Sequence, residues 1–409
     1  MWLYNLGISL YAGGIRLAAL WHGKARLWSE GRRNIFERME AAVRPSDRIV
    51  WVHAASLGEF EQARPIIERL RAEHPEYKIL LTFFSPSGYE IRKNYEGADY
   101  VFYLPADTPS NARRFLDIVH PEIAIFIKYE FWINLLSELR RRKVRSYIVS
   151  AIFRRNSVFF RPYGAMWRQA LETFDTLFVQ NVESKRLLSE IGFDNVVVAG
   201  DTRFDRVAQI AAAAQRVETI ERFRGGGRLF VAGSTWGPDE EILLPLVIAN
   251  PDVKFVIAPH EMDEGRIAHL MRNAKGGAVR YTQCDAATRF DDVQVLVLDT
   301  MGMLSSVYGS ATWAYVGGGF GVGIHNTLEA ATFGLPIAFG PNYGKFKEAR
   351  DMVSLGCAVS VRTAGELAAW FAPLCDDEET LRRASRTAKD YTARNQGATG
   401  IILRSIFNS

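Results

Sequence analysis

Residues Val316 to Gly344 read VGGGFGVGIHNTLEAATFGLPIAFGPNYG. The apolar run Thr312 to Val316 leads into Gly317, Gly318 and Gly319, and further glycines stand at 321 and 323. His325, Asn326 and Glu329 follow in a segment of helical composition, and a second apolar run, Leu335 to Phe339, ends in Gly340 and Pro341. The order is strand, glycine loop, helix, strand, the repeating unit of a parallel α/β sheet. Glycines permit positive φ and close approach of a ligand to the backbone. A helix beginning after such a loop offers free N–H groups to a phosphate or carboxylate.

The same alternation extends outward in both directions. Downstream of residue 227, apolar runs at 229–232, 254–258, 293–298, 314–316 and 337–339 read as strands. Upstream, the runs at 48–55, 78–84, 101–104, 123–127, 145–150, 176–179 and 195–198 do the same. At 409 residues the chain is too long for one typical core, so two domains are expected. Gly200-Asp201-Thr202-Arg203-Phe204-Asp205 leads into an alanine-rich stretch ending at Gly225-Gly226-Gly227, where a linker is expected. The expected segments are 1–21, 22–207, 208–385 and a C-terminal helix, 386–409, packing back on the N-terminal domain.

Several chemistry-bearing residues fall where these strands end, the side on which open α/β sheets bind ligands. Ser56-Leu57-Gly58-Glu59 turns from a strand into a helix, and Lys128-Tyr129-Glu130-Phe131-Trp132 follows a buried strand directly. On position alone Glu59 reads equally as a first-turn acid favoured by the helix dipole, and Lys128 with Glu130 as a local ion pair. Phe153 to Tyr163 sets Arg154, Arg155 and Arg161 among aromatics, either a solvated basic loop or a contact for a phosphorylated, partly apolar partner. In the second half, Gly233-Ser234-Thr235 precedes the acidic Asp239-Glu240-Glu241 and reads as a phosphate cradle or a plain N-cap. Pro259-His260 and Asp299-Thr300-Met301-Gly302-Met303-Leu304 close two further strands.

The formal net charge of +4 is too weak to argue for nucleic acid and suits anionic ligands or an anionic membrane surface. Three widely spaced cysteines, Cys284, Cys357 and Cys375, suggest neither a disulfide framework nor a zinc site. Residues 1–21, MWLYNLGISLYAGGIRLAALW, are nearly all apolar. On a helix Asn5, Ser9, Gly13 and Arg16 share one stripe roughly 80° wide. The rest of that surface is apolar, and Lys24, Arg26, Arg32 and Arg33 follow. The pattern suits a helix lying in a membrane interface or making a short span, with Arg16 buried in the latter case; a helix packed on the protein's own body is the alternative.

Taken together, WVHAASLGE (51–59), KYEFW (128–132), GDTRFD (200–205), GST (233–235), DTMGML (299–304) and the stretch 316–346 resemble the transferases of 3-deoxy-D-manno-octulosonic acid (Kdo). The resemblance runs from about residue 30 to 400. It implies a GT-B glycosyltransferase fold, two Rossmann-like domains facing a cleft, with an N-terminal membrane-associating helix. It further implies CMP-Kdo as donor, a lipid A precursor as acceptor, no cofactor or metal, no nucleic acid, and the cytoplasmic face of the cell inner membrane. By the same resemblance Glu59 is the general base and Glu130 a second acid. Ser234, Thr235, His260, Met301, Gly302, Gly318, Gly319, His325, Asn326 and Glu329 are expected on the donor side. Ser56, Gly58, Lys128, Arg154 and Arg155 are expected on the acceptor side. The chain departs from the family pattern at Ile324, Met303 and His260-Glu261; the last removes an expected cation near the donor phosphate, which Lys345 or Arg203 would replace.

Overall fold

A computed structural model of the chain describes residues 1–408, which form two compact units. The first comprises residues 1–206 and the segment from 396 onward; the second is 207–395. Each unit is built on one seven-stranded sheet in which every pair is parallel.

The first sheet contains β1 (Ile49–His53), β2 (Lys78–Phe83), β3 (Tyr100–Tyr103), β4 (Ile123–Ile127), β5 (Arg145–Ala151), β6 (Thr176–Val179) and β7 (Val196–Val198), in the order β3-β2-β1-β4-β5-β6-β7. The second contains β8 (Leu229–Thr235), β9 (Lys254–Pro259), β10 (Ala278–Arg280), β11 (Val295–Val297), β12 (Trp313–Val316), β13 (Ile337–Phe339) and β14 (Ala358–Ser360), in the order β10-β11-β9-β8-β12-β13-β14. Both sheets are covered on both faces, which is why their strands read as almost unbroken apolar runs. In β1 the side chains alternate between two cores: Ile49 and Trp51 pack with Leu80 and Phe126, while Val50 and Val52 pack with Ile66, Leu81 and Ile125. Ser85, Thr108, Asn181, Asp263 and Thr363 each accept a backbone N–H at a helix start, as short polar caps do. The second sheet turns back at its edge, where β11 lies between β10 and β9, and in each sheet the strand order reverses at the centre, between β1 and β4 and between β8 and β12. Such a switch point opens a crevice at the strands' C-terminal ends.

The edge strands β10 and β14 were not expected from the sequence; three residues at a sheet edge carry too little pattern to register. The stretch expected as a linker is helical over Thr202–Ala213 and Glu218–Arg224, and the chain passes between units at 206/207, inside the first of these helices. The helix Glu378–Arg394 belongs to the second unit, and Ala398–Phe407 to the first. That last helix is held by Asp205, whose carboxylate accepts N–H bonds from Gly397 and Thr399 and the Thr399 hydroxyl, each at 2.6 Å. Asp201 is buried and binds Arg203 and the Gln62 amide (2.8 Å).

The first helix, Trp2–Ala18, docks through Tyr4, Asn5, Ile8, Ala12 and Ile15. The Tyr4 hydroxyl donates to buried Asp107 at 2.6 Å, and Asn134 donates to Asn5 at 2.9 Å. Burial raises the Asp107 pKa, against the hydrogen bonds that it accepts from Tyr4 and the amides of Asn134 and Leu135. The opposite face exposes Trp2, Leu3, Leu6, Leu10, Leu17, Leu20 and Trp21. Among the described residues no helix is long and apolar enough to cross a membrane. Arg16 is exposed, and the helix meets the body through the face that carries Tyr4, Ile8, Ala12 and Ile15.

Candidate active site

In the first unit the switch point gathers side chains from three strand ends. The helix Leu57–Glu73 starts one turn after β1, with Ser56 as its N-cap. The Glu59 carboxylate folds back to accept the Ser56 N–H (2.9 Å) and hydroxyl (3.1 Å), half of a capping box. Immediately after β4, Lys128 adopts φ +61°, a left-handed conformation that costs a non-glycine residue on the order of 1–3 kcal/mol. Glu130 accepts the Trp132 indole N–H at 2.8 Å and lies 3.3 Å from His53 Nε2. His53, buried at the end of β1, is held from behind by the Thr82 hydroxyl of β2 at 2.9 Å. Thr82 also accepts the Trp51 indole N–H, so one hydroxyl orients both aromatic rings.

The electrostatics single out Glu59. Burial raises its pKa above the usual carboxylate range, and the negative charge of Glu130 raises it further. The Ser56 bonds, His53 and Lys128 oppose the shift without cancelling it. Two carboxyl groups in one crevice, one of them with a strained basicity, form the arrangement from which general bases are made. Gly58 is exposed, and an added Cβ there would meet nothing within 4 Å. Arg155 is exposed and pairs with Glu190 at 3.2 Å, while Arg154 lies exposed near Tyr129. Two aromatics of that loop turn inward, Phe153 and Phe159, with Phe131 packed edge-on against Phe159 at 4.8 Å, while Tyr163 is exposed.

In the second unit the equivalent place is built of backbone and rings. Ser234, at the end of β8, has φ +54°. The Thr235 hydroxyl is buried and donates to Glu240 at 2.9 Å, and Arg266 binds the same carboxylate at 2.6 Å. Asp239 ties three pieces together. Its oxygens accept the Trp236 N–H (2.8 Å), the Gly318 N–H (3.0 Å) and the Tyr315 hydroxyl (2.7 Å). Trp236 stacks on His260 (4.8 Å between centroids), and His260 on His325 (4.4 Å). The Trp236 indole donates to His325 Nε2 at 3.2 Å. Burial and then the neighbouring His260 hold the His325 pKa below the usual imidazole value, so the ring is neutral at pH 7 and accepts that bond.

Gly318 has the positive φ (+90°) expected of the loop, and the glycines also have a packing use. Gly318 and Gly319 are buried. A Cβ on Gly319 would stand 2.5 Å from Gly340 Cα, and one on Gly317 would collide with the Ser234 carbonyl. They let the loops after β8, β12 and β13 pack backbone to backbone, and the Gly318 N–H is occupied by Asp239. The helix begins later than its composition suggests, at Thr327, leaving His325 in the loop and Asn326 as the N-cap. Glu329 accepts from the Ser305 hydroxyl (2.9 Å) and the Asn326 amide (3.0 Å), so its carboxylate is oriented and only half-buried. Met301 is 81% exposed on an open loop beside Gly302 at φ +85°. Sequence reasoning missed His53, Trp236 and the bridging role of Asp239; the only signal was their place beside strand ends.

The two parallel-sheet units, with polar clusters at their switch points, define a GT-B glycosyltransferase fold. Its likeness to the UDP-GlcNAc 2-epimerase of Neisseria meningitidis, solved with UDP-GlcNAc, has a TM-score of 0.62 at 15% identity, over 88% of this chain and 100% of that one. The model of the family described as 3-deoxy-D-manno-octulosonic-acid transferase (kdotransferase) matches residues 32–206. The 3-deoxy-D-manno-octulosonic acid transferase of Haemophilus influenzae is 25% identical over 88% of this chain and 86% of its own length. That of Bordetella pertussis is 28% identical over 87% and 86%. Residues 32–206 thus match the Kdo transferase domain, and the similarity to Kdo transferases extends over most of the chain.

Proposed function

We propose that the chain transfers Kdo from CMP-Kdo to a lipid A precursor, lipid IVA, with inversion, in lipopolysaccharide biosynthesis. The observation that carries this reading is Glu59: a carboxylate at a strand end, with its pKa raised by burial and by Glu130. Glu59 takes the proton of the acceptor sugar hydroxyl as that oxygen bonds to the anomeric carbon of Kdo. The bond from that carbon to the phosphate oxygen breaks, and CMP leaves. Glu130, held by His53 and Trp132, keeps Glu59 basic and fixes the acceptor side with Ser56, Gly58 and Lys128. Arg154 and Arg155 meet the acceptor's phosphate. On the donor side, Glu329 and Asn326 accept and donate to the ribose hydroxyls. Ser234, Thr235, His260 and His325, with the loops at Met301-Gly302 and Gly318-Gly319, surround the nucleotide.

The exposed apolar face of the first helix suits a protein working on a membrane-embedded acceptor at the cytoplasmic face of the inner membrane. The test is incubation of the purified chain with CMP-Kdo and tetraacylated lipid A precursor, with products read by mass spectrometry. CMP release and an acceptor heavier by one or more Kdo units is the expected result. Folded protein that leaves CMP-Kdo intact, or that releases UDP from a UDP-sugar instead, overturns the reading.

A further inference from the structure

A cavity in the first unit is lined by none of the side chains of the candidate site. It measures about 820 Å³ and is walled by the end of the first helix (Arg16, Leu20), the helix Gly23–Glu30, and Pro105 with Ala106 after β3. Its charged lining is four arginines, Arg16, Arg26, Arg32 and Arg33, against two carboxylates, Glu30 and Glu37, so the hollow keeps an excess of positive charge. Elsewhere in the chain arginines commonly grip carboxylates, as Arg48 does Glu122 and Arg142 does Glu138 and Asp117. None of these four binds a carboxylate within the described residues.

Arg32 is the most informative. Its guanidinium lies over the rings of Trp28 (3.9 Å), Tyr103 (4.6 Å) and Phe84 (5.0 Å). It donates Nε–H to the Leu104 carbonyl (2.8 Å), and its two terminal nitrogens bond the Trp28 (3.1 Å) and Phe84 (2.8 Å) carbonyls. Of five N–H donors, two remain. Carbonyls and ring faces orient the cation, no carboxylate is bonded to it, and burial lowers its pKa to about 9. A buried charge without a counter-charge is expensive, and the missing partner is an anion. The guanidinium fork matches phosphate oxygens. What kind of phosphate follows from the cavity's rim. Leu17, Leu20 and Trp21 stand exposed where the first helix ends, so an apolar surface begins at the mouth of a basic hollow.

We propose that this cavity binds the phosphate headgroup of an anionic glycerophospholipid, whose acyl chains run along the exposed apolar face of the first helix. The site rests on the reading that the protein works at a membrane, but not on its transferase chemistry. It seats the first helix against one lipid and orients the unit on an acidic bilayer, adding a specific contact to diffuse attraction.

The full chain is titrated calorimetrically with dihexanoyl phosphatidylglycerol and dihexanoyl phosphatidylcholine, both below micelle formation. Saturable one-to-one binding of the phosphatidylglycerol is expected, with the phosphatidylcholine at least about tenfold weaker. The exposed triple variant R16Q/R26Q/R33Q is expected to lose that preference. R382Q/R383Q/R386Q, the same charge change on the helix Glu378–Arg394, is expected to keep it. Inorganic phosphate serves as the free-anion probe and is expected to compete only weakly. Absence of saturable binding, retained preference in the first triple variant, equal loss in the second, or displacement by phosphate as effective as by the lipid would each overturn the proposal. Turnover measured with detergent-dispersed acceptor is expected to be unchanged in the first triple variant. An inactive wild type would count against the transferase reading and leave the binding result standing.

Discussion

The two units solve the same topological problem with opposite materials. Each has a parallel sheet whose order reverses at the centre, and each places a left-handed non-glycine residue, Lys128 or Ser234, at a strand end beside that reversal. In the first unit the crevice is filled by polar side chains: Glu130, His53 and Trp132 joined by hydrogen bonds, and Glu59 held by Ser56. In the second it is formed by three glycine-bearing loops pressed together and a pile of rings, Trp236, His260 and His325. A carboxylate with a raised pKa, as at Glu59, suits proton transfer, whereas rigid backbone and flat rings suit holding a nucleotide. One fold thus carries two different kinds of cluster at its two switch points, set by the loops alone.

The comparison breaks most visibly at Glu59. Glu59→Ala is expected to lower kcat by about 10²- to 10⁴-fold, the usual worth of a general base, while calorimetric binding of CMP-Kdo stays near wild type. Loss of donor binding in that variant would show that the division of labour is wrong. Gly319→Ala is the converse. Its methyl would meet the Gly340 backbone at 2.5 Å, so a loss of about 1–3 kcal/mol in the unfolding of the second unit is expected, together with weakened CMP-Kdo binding. Thermal unfolding with and without CMP reads both effects.

Smaller effects sharpen the picture. Because Glu59 must be ionised to act and its pKa is raised, the acid limb of kcat/KM is expected above the ordinary glutamate value of about 4.3. Glu130→Gln removes the like charge and is expected to move that limb to lower pH; an unmoved limb would leave Glu130 no part in tuning Glu59. The stability consequence has a definite sign. A carboxyl whose pKa is raised on folding penalises the folded state once it ionises. Glu59→Gln is therefore expected to raise the melting temperature at pH 7, and the gain to vanish as pH falls below the unfolded pKa. Smallest is Gly58→Ala, expected to change stability by no more than about 1 kcal/mol, in the stabilising direction, since the position is helical and open. A stabler protein with slower turnover would show that the acceptor needs the space above Gly58.

The sequence made the sheets legible because burial on both faces leaves apolar runs that end sharply at loops. Twelve strands follow that rule; β10 and β14, at the edges of the second sheet, are too short to show it. Glu59 was legible because a strand end and a helix start frame it. His53 was not. Inside VWVHAA it reads as one more interior residue, and its meaning depends on Thr82 and on Glu130, 77 positions away. Asp239 was visible as an acid near a helix start, but its bonds to Gly318 and Tyr315 reach about eighty residues ahead and exist only once β8 and β12 are neighbours. The packing of the glycines was not legible: freedom at φ and room for a ligand look the same in a sequence as room for another loop.

The second unit is one continuous run of chain, whereas the first is completed from both ends. Ile402, Leu403 and Ile406, all buried, finish the core beneath β1, β2 and β4. On a ribosome, where domains close as units at about 5–20 residues per second, the half that is synthesised first must therefore mature last. Until the final helix emerges and Asp205 captures it, the surface of Phe60, Ile66 and Ile67 lacks its cover. A premature stop near residue 396 would consequently injure the amino-terminal half of the protein and spare the half in which it occurs.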